Sequence, residues 1–209
     1  IGEGDVVAFN TDGGKITLTL NSDLTISTIF VFGANPCIIN LNGHNLTINN
    51  ILYLGSSWDN NGDIDDGIIA NNSQHNSEGS RLGYLIISNS GNVSINKMDT
   101  STWGYMGDPL YGNSISSAEE LKSKFEINDV TNFAVVEWET GYPNTGDDDT
   151  PGATVPEISI GNSSTNIIID IVLGDESLKT EFDTSITNSG ATIIIEPFKW
   201  IGQSDTNWS

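Results

Sequence analysis

The sequence predicts an all-β domain, and three observations carry that prediction. Short stretches alternate polar and apolar residues, as in Lys15-Ile16-Thr17-Leu18-Thr19-Leu20, which sends Ile16, Leu18 and Leu20 to one face of an extended strand. Turn-forming dipeptides such as Asn42-Gly43, Asp66-Gly67 and Ser90-Gly91 punctuate these stretches, each supplying residues that tolerate a left-handed backbone. Asn, Ser, Thr, Gly and Asp fill much of the remainder, which is the chemistry of turns and strand surfaces rather than of helices.

The elements follow in order. Leu24-Thr25-Ile26-Ser27-Thr28-Ile29, Asn45-Leu46-Thr47-Ile48-Asn49, Asn92-Val93-Ser94-Ile95-Asn96 and Glu157-Ile158-Ser159-Ile160 repeat the alternation. Tyr84-Leu85-Ile86-Ile87, Phe133-Ala134-Val135-Val136, Ile167-Ile168-Ile169 and Ile193-Ile194-Ile195 are continuous apolar runs, the pattern of strands covered on both faces or turned into a stacked core. One short capping helix is expected near residues 117–126. Ser117 caps it, Glu120 completes a capping box, and Ala118, Leu121 and Phe125 share a face. Residues 141–152, with two prolines, three glycines and an acidic run, form a loop. It divides the chain into a first part, 1–140, and a C-terminal β segment, 153–209, of the same fold or a small second unit.

The stretch Ile38-Ile39-Asn40-Leu41-Asn42-Gly43-His44-Asn45-Leu46-Thr47-Ile48 resembles a corner found near the start of many extracellular right-handed parallel β-helices. Pectin-lyase-like proteins and large bacterial or archaeal surface adhesins and surface-layer proteins are among them. Asn42-Gly43 suits the left-handed backbone of a tight corner, with Leu41, Leu46 and Ile48 pointing inward. The resemblance covers roughly residues 12–96 and implies a β-solenoid in which Leu18, Ile26, Ile39 and Ile48 occupy successive rungs. No strict period accompanies it, and a Greek-key β-sandwich is the alternative architecture.

The charge balance limits the partners. Twenty-eight acidic residues face seven basic ones, a net of −21, and such a field repels nucleic-acid phosphates and anionic lipid while attracting cations. No stretch is apolar for long enough to cross a bilayer as a helix. The best metal candidate is the segment 58–67, where Asp59, Asn61, Asp63 and Asp65, with Asp66 beside them, place oxygens at every second residue. That spacing suits the many hard oxygen ligands of Ca²⁺. It is not an EF-hand: counted from Asp59, the sixth position is Ile64 instead of glycine and the twelfth is Ala70 instead of glutamate. A solvated acidic turn is the competing reading. The second candidate is Asp147 and Asp149 in the run Asp147-Asp148-Asp149, where a further ligand such as Glu139 is needed and a solvated run is the plainer interpretation.

Aromatic residues give the remaining signal. Trp58, Trp103, Tyr105, Tyr111, Trp138, Tyr142, Trp200 and Trp208 lie in or beside Gly-, Asn- and Asp-rich stretches. They are densest around Trp103, Tyr105, Asp108 and Tyr111, where rings that stack on sugar faces neighbour a carboxylate for sugar hydroxyls; rings that plug the ends of the core are the alternative. Catalytic motifs are weak. Arg81 is the sole arginine, without a neighbouring lysine, and His44 and His75 lack a second histidine or cysteine nearby for zinc or triad chemistry. Cys37, the one cysteine, permits no internal disulfide and reads as a buried, inert thiol.

These features lead to the expectation of a non-catalytic, calcium-stabilised extracellular module of a surface adhesin or surface-layer protein, cut from something longer. Its partners are a surface glycan or neighbouring copies and domains. The first alternative is a carbohydrate-binding module, and the second a polysaccharide-active β-helix enzyme.

Overall fold

The computed structural model describes residues 1–11, 13–33, 35–55, 83–100, 123–139, 156–161, 168–173, 186–188 and 190–196. Within them the chain forms fourteen strands: β1 (Val6–Asn10), β2 (Ile16–Thr19), β3 (Leu24–Ile26), β4 (Thr28–Phe32), β5 (Cys37–Asn40), β6 (Leu46–Leu54), β7 (Tyr84–Ser88), β8 (Asn92–Asp99), β9 (Lys124–Asn128), β10 (Asn132–Glu139), β11 (Glu157–Ile160), β12 (Ile168–Leu173), β13 (Ile186–Asn188) and β14 (Thr192–Glu196).

Every strand pairing among the described residues is parallel. Parallel neighbours cannot be joined by a hairpin and need a crossover. Here the crossover is a visit to the other sheet. One six-stranded sheet runs β13-β11-β9-β7-β5-β2, and the eight-stranded sheet runs β1-β4-β6-β8-β10-β12-β14, with β3 beside β6. From β5 onward the chain alternates between the sheets strand by strand, so each pass adds one level to both. Both sheets stay open. The Greek-key sandwich required antiparallel pairs, and the described residues contain none.

The eight-stranded sheet is creased. Alternation along a strand has period two, yet β6, β8 and β10 each place two outward residues in succession. Asn49 and Asn50 separate buried Ile48 from buried Leu52, with Ile51 half-buried between; Asn96 and Lys97 separate buried Ile95 from Met98; Val136 and Glu137 separate Val135 from Trp138. The register shifts at the same place, between Ile48 and Ile51 and between Val135 and Trp138. Such an interruption bends a strand. It also explains why β3 pairs with the first half of β6 and β4 with the second.

The core sits between the sheets and is built of apolar columns. Ile39, Ile87, Ile127 and Ile160 are successive register partners in the six-stranded sheet, as are Cys37, Leu85, Phe125 and Ile158. Across the core, Leu46–Val93–Phe133, Ile48–Ile95–Val135 and Leu52–Met98–Trp138 stack in the same way. All are buried, and each buried aliphatic side chain contributes about 1.5–3 kcal/mol relative to exposure. Phe125 meets Phe133 at 5.4 Å and Trp138 edge-on at 5.9 Å, an arrangement aromatic pairs favour.

Two expectations change, and a third is decided between its alternatives. The helix expected at 117–126 does not extend to its end, because Lys124–Asn128 is a strand and Phe125 a core residue; residues 117–122 lie outside the described residues. Tertiary burial of Phe125 and Ile127 outweighs the helical spacing that the sequence offers at residue 125. Trp138 is no loop aromatic but fully buried in β10, its Nε1 donating to Thr100 Oγ1 at 3.0 Å. β7 takes the second of its two expected forms, turned into a stacked core: Leu85 and Ile87 are buried, while Tyr84 and Ile86 are only partly so.

Candidate functional site

Two corners connect the six-stranded sheet to the creased one, and they differ in kind. At the first, the chain turns tightly from β5 into β6, from β7 into β8 and from β9 into β10. Asn42, Asn89, Ser90 and Asp129 adopt positive φ, at 51°, 68°, 49° and 61°. Asn42-Gly43 therefore makes the left-handed corner that its sequence suggests, with Gly43 at φ 82°. The corners are tied level to level: the Gly43 N–H reaches the carbonyl of Asn89 at 3.1 Å, and the Ser90 N–H reaches that of Asp129 at 2.7 Å.

A side-chain ladder crosses the same corner. Asn132 Nδ2 donates to Asn92 Oδ1 at 2.5 Å, Asn92 Nδ2 to Asn45 Oδ1 at 2.7 Å, and Asn45 Nδ2 to Asp23 Oδ2 at 3.1 Å. Asp23 Oδ1 also accepts the Asn45 backbone N–H at 2.9 Å. These bonds from Asn45 hold the Asp23 carboxyl below the usual aspartate value, and His44, whose Nδ1 lies 3.7 Å away, adds to the effect. His44 is thus a corner residue beside a carboxylate. The amide of Asn45, the first residue of an N-x-Thr sequence, is engaged on both sides by its neighbours.

The second corner joins the end of one creased-sheet strand to the start of the next strand in the six-stranded sheet. Its connections lengthen. Phe32 to Cys37 is short, but residues 56–82 lie between β6 and β7, residues 101–122 between β8 and β9, and residues 140–155 between β10 and β11. These hold the candidate residues from the sequence. Asp59, Asn61, Asp63, Asp65 and Asp66 fall in the first, Trp103, Tyr105, Asp108 and Tyr111 in the second, Asp147 and Asp149 in the third. All of them lie outside the described residues.

What the structure describes is the base from which the connections leave. On the entry side, Lys124 N donates to the Gly83 carbonyl and Glu157 N to the Ser123 carbonyl, both at 2.8 Å. On the exit side, Gly55 N donates to Val31 O at 2.8 Å. Ser123 joins the two sides: its Oγ accepts from Gly83 N at 3.1 Å and donates to the Leu54 carbonyl at 3.4 Å. Ser123 and Thr100 are among the few buried polar residues, and buried hydroxyls of this kind are held by hydrogen bonds. Neighbouring strands lie about 4.8 Å apart, so stems on successive levels are adjacent.

On the outer face of the six-stranded sheet, the Tyr84 hydroxyl donates to Glu126 Oε1. That bond, with burial and the Glu126 charge, pushes the phenol up to about 12. Lys124 stands 3.7 Å from Glu157, and Lys97 stands 3.5 Å from Glu137 on the creased sheet. Phe30 and Tyr53 stack face to face at 4.6 Å, outside the core cluster. Sequence reading missed the Tyr84–Glu126 and Phe30–Tyr53 pairs because their partners are 42 and 23 residues apart; register alone brings them together. Burial pushes the Cys37 thiol up to about 12, the inert state expected for it. Among the described residues, no group of three or more His, Cys, Asp or Glu converges on a point that suits a metal ion. Compared with known proteins, the chain matches no family model, no curated protein and no solved structure.

Proposed function

We propose that the chain is a right-handed parallel β-helix module of an extracellular surface protein, adhesive or surface-layer in type, which works by display rather than catalysis. Its two sheets, one of them creased, supply the three sides of the cross-section. The wholly parallel pairing, the alternation between sheets and the right-handed preference of parallel crossovers support this architecture. The observation that carries the functional reading is the shared corner. The acidic segments around Asp59–Asp66 and Asp147–Asp149 and the aromatic segment around Trp103–Tyr111 all connect the same two positions on successive levels.

A stack of this kind is stiff, and stiffness lowers the entropy lost when a surface is bound. Calcium held by the acidic segments would offset part of the repulsion implied by −21. The ligand in this reading is a neutral surface glycan, contacted by Trp103, Tyr105 and Tyr111 with Asp108 accepting from sugar hydroxyls.

Two measurements test it. Thermal unfolding with excess Ca²⁺ and with a chelator should differ, since a metal bound only by the folded state at a hundred times its Kd adds about 2.7 kcal/mol. Substituting Asp63→Asn and Asp65→Asn should remove most of that difference. Binding to immobilised neutral glycans should fall at least tenfold in a Trp103→Ala, Tyr105→Ala double variant that unfolds at the wild-type temperature. Identical melting in both conditions removes calcium from the reading, and glycan binding untouched by the double variant removes the aromatic segment.

A further inference from the structure

Asn42 and Gly43 are both exposed. Asparagine is a thermolabile residue, and a following glycine makes it more so by leaving the next amide nitrogen unobstructed. The chemistry needs no partner but water. The Gly43 nitrogen attacks Asn42 Cγ, the bond from Cγ to Nδ2 breaks, and ammonia departs with the proton that the nitrogen gave up. Water then opens the cyclic imide at either carbonyl, leaving aspartate or isoaspartate. Exposure favours this reaction at the corner; the geometry opposes it.

Leu41 to His44 form a tight turn. His44 N donates to the Leu41 carbonyl at 2.9 Å, and φ is positive at both Asn42 and Gly43, the signature of a type I′ turn. The two reacting groups are held by opposite levels of the stack, since β5 lies between β2 and β7. Asn42 Nδ2 donates to the Leu20 carbonyl, just past β2, at 3.2 Å. The Gly43 N–H is shared the other way, between the carbonyls of Asn89 at 3.1 Å and Ser90 at 3.2 Å, just past β7. Asn40 Oδ1 accepts the Asn42 N–H at 3.0 Å. Attack requires a Gly43 nitrogen freed of its proton and turned toward Cγ. Two carbonyls hold that proton, and the carboxamide is drawn to the far side. Gly91 closes the clamp: a Cβ there would come within 2.1 Å of the His44 carbonyl oxygen.

We propose that Asn42 is a site of spontaneous deamidation, held inert by this corner and released by its local opening. The change is one-way. Aspartate at position 42 turns an acceptor toward the Leu20 carbonyl where a donor stood, so the bond between levels is lost. Isoaspartate lengthens the main chain by one carbon and displaces the Gly43 N–H from its two carbonyls. Either product adds a carboxylate to a corner that already holds Asp23, in a chain of net charge −21. A corner that opens long enough to react does not close again as it was, and its integrity sets the working lifetime of the stack.

Peptide mapping by mass spectrometry, after incubation in mildly alkaline buffer, measures aspartate and isoaspartate at residue 42. Asn61-Gly62, the other Asn-Gly pair of the chain, is the reference in denaturant, where the two should react at similar rates. In the native chain Asn42 should react about tenfold slower than in denaturant, or slower still. Gly91→Ala forces the clamp apart, and Asn92→Ala breaks the side-chain bond to Asn45 across the same corner; both should raise the native rate. Gly13→Ala, whose Cβ meets nothing within 4 Å, should leave it unchanged. Native reaction at the denatured rate overturns the proposal. So does an Asn42 that survives in denaturant while Asn61 reacts, or a native rate that neither corner variant raises. Should Gly91→Ala lose its far-UV β spectrum, Asn92→Ala decides.

Discussion

Gly83 and Gly55 meet backbone to backbone: a Cβ on Gly83 would come within 2.6 Å of the Gly55 nitrogen, of the Val31 carbonyl oxygen and of Leu54 Cδ1. Two of those three atoms are main chain, which cannot swing aside. The chain re-enters the six-stranded sheet at this point after residues 56–82, so the close approach fixes where the longest connection lands.

Gly83→Ala should destabilise the fold by about 1–3 kcal/mol, the usual cost of forcing an extra methyl into packed structure. Gly13→Ala is the control, because a Cβ there meets nothing within 4 Å, and it should change stability by less than about 0.5 kcal/mol. Urea unfolding of the two variants decides it; equal midpoints would mean the stem relaxes freely.

Trp138 fills the core at the creased sheet, edge-on to Phe125 and bonded to Thr100. Trp138→Ala should cost about 3–5 kcal/mol, and Trp138→Phe less, losing volume and the indole hydrogen bond. Val136, two residues earlier and 42% exposed, should tolerate alanine within about 0.5 kcal/mol. If Trp138→Phe and Val136→Ala unfold at the same denaturant concentration, Trp138 is not the core residue described here.

The all-β class, the strand at Lys15–Leu20 and the corner at Asn42-Gly43 were legible because each rests on local chemistry: period two, or residues that accept positive φ. The crease was not. Asn49-Asn50, Asn96-Lys97 and Val136-Glu137 have no residue type common to all three, only the property of placing two outward residues in a row. The end of the expected helix, over residues 124–126, is a strand for a related reason. The spacing of Ser117 and Glu120 matches a capping box in the sequence, but Phe125 and Ile127 pair with Leu85 and Ile87, a relation no window of sequence contains. The candidate acidic and aromatic residues were nominated by composition. Topology adds that their three segments share one corner.

Asp23 gives a pH dependence with a definite sign. Its carboxyl titrates below the ordinary value of 3.8, mainly because the Asn45 backbone N–H and side-chain amide bond the charged form. A depressed folded-state pKa means a contribution present above the ordinary value and lost as pH falls through the folded one. Asp23→Asn should therefore be less stable than wild type at pH 6, and the gap should close progressively below pH 3.8. A gap that stays constant into acid would show that shape, not charge, holds the end of the ladder.

Cys37 offers a probe of the whole stack. It lies fully buried at the start of β5, paired in register with Ile16 on one side and Leu85 on the other. Alkylation requires the thiolate, and burial that raises the thiol to about 12 removes both thiolate and access at neutral pH. Iodoacetamide should leave the native chain unmodified over hours at pH 8 and label it within minutes in strong denaturant. In partial denaturant the labelling rate should then follow the opening of the sheets, and Gly83→Ala should accelerate it in proportion to its loss of stability. Rapid labelling of the native chain would place Cys37 outside the core, and with it the column that runs through Leu85, Phe125 and Ile158.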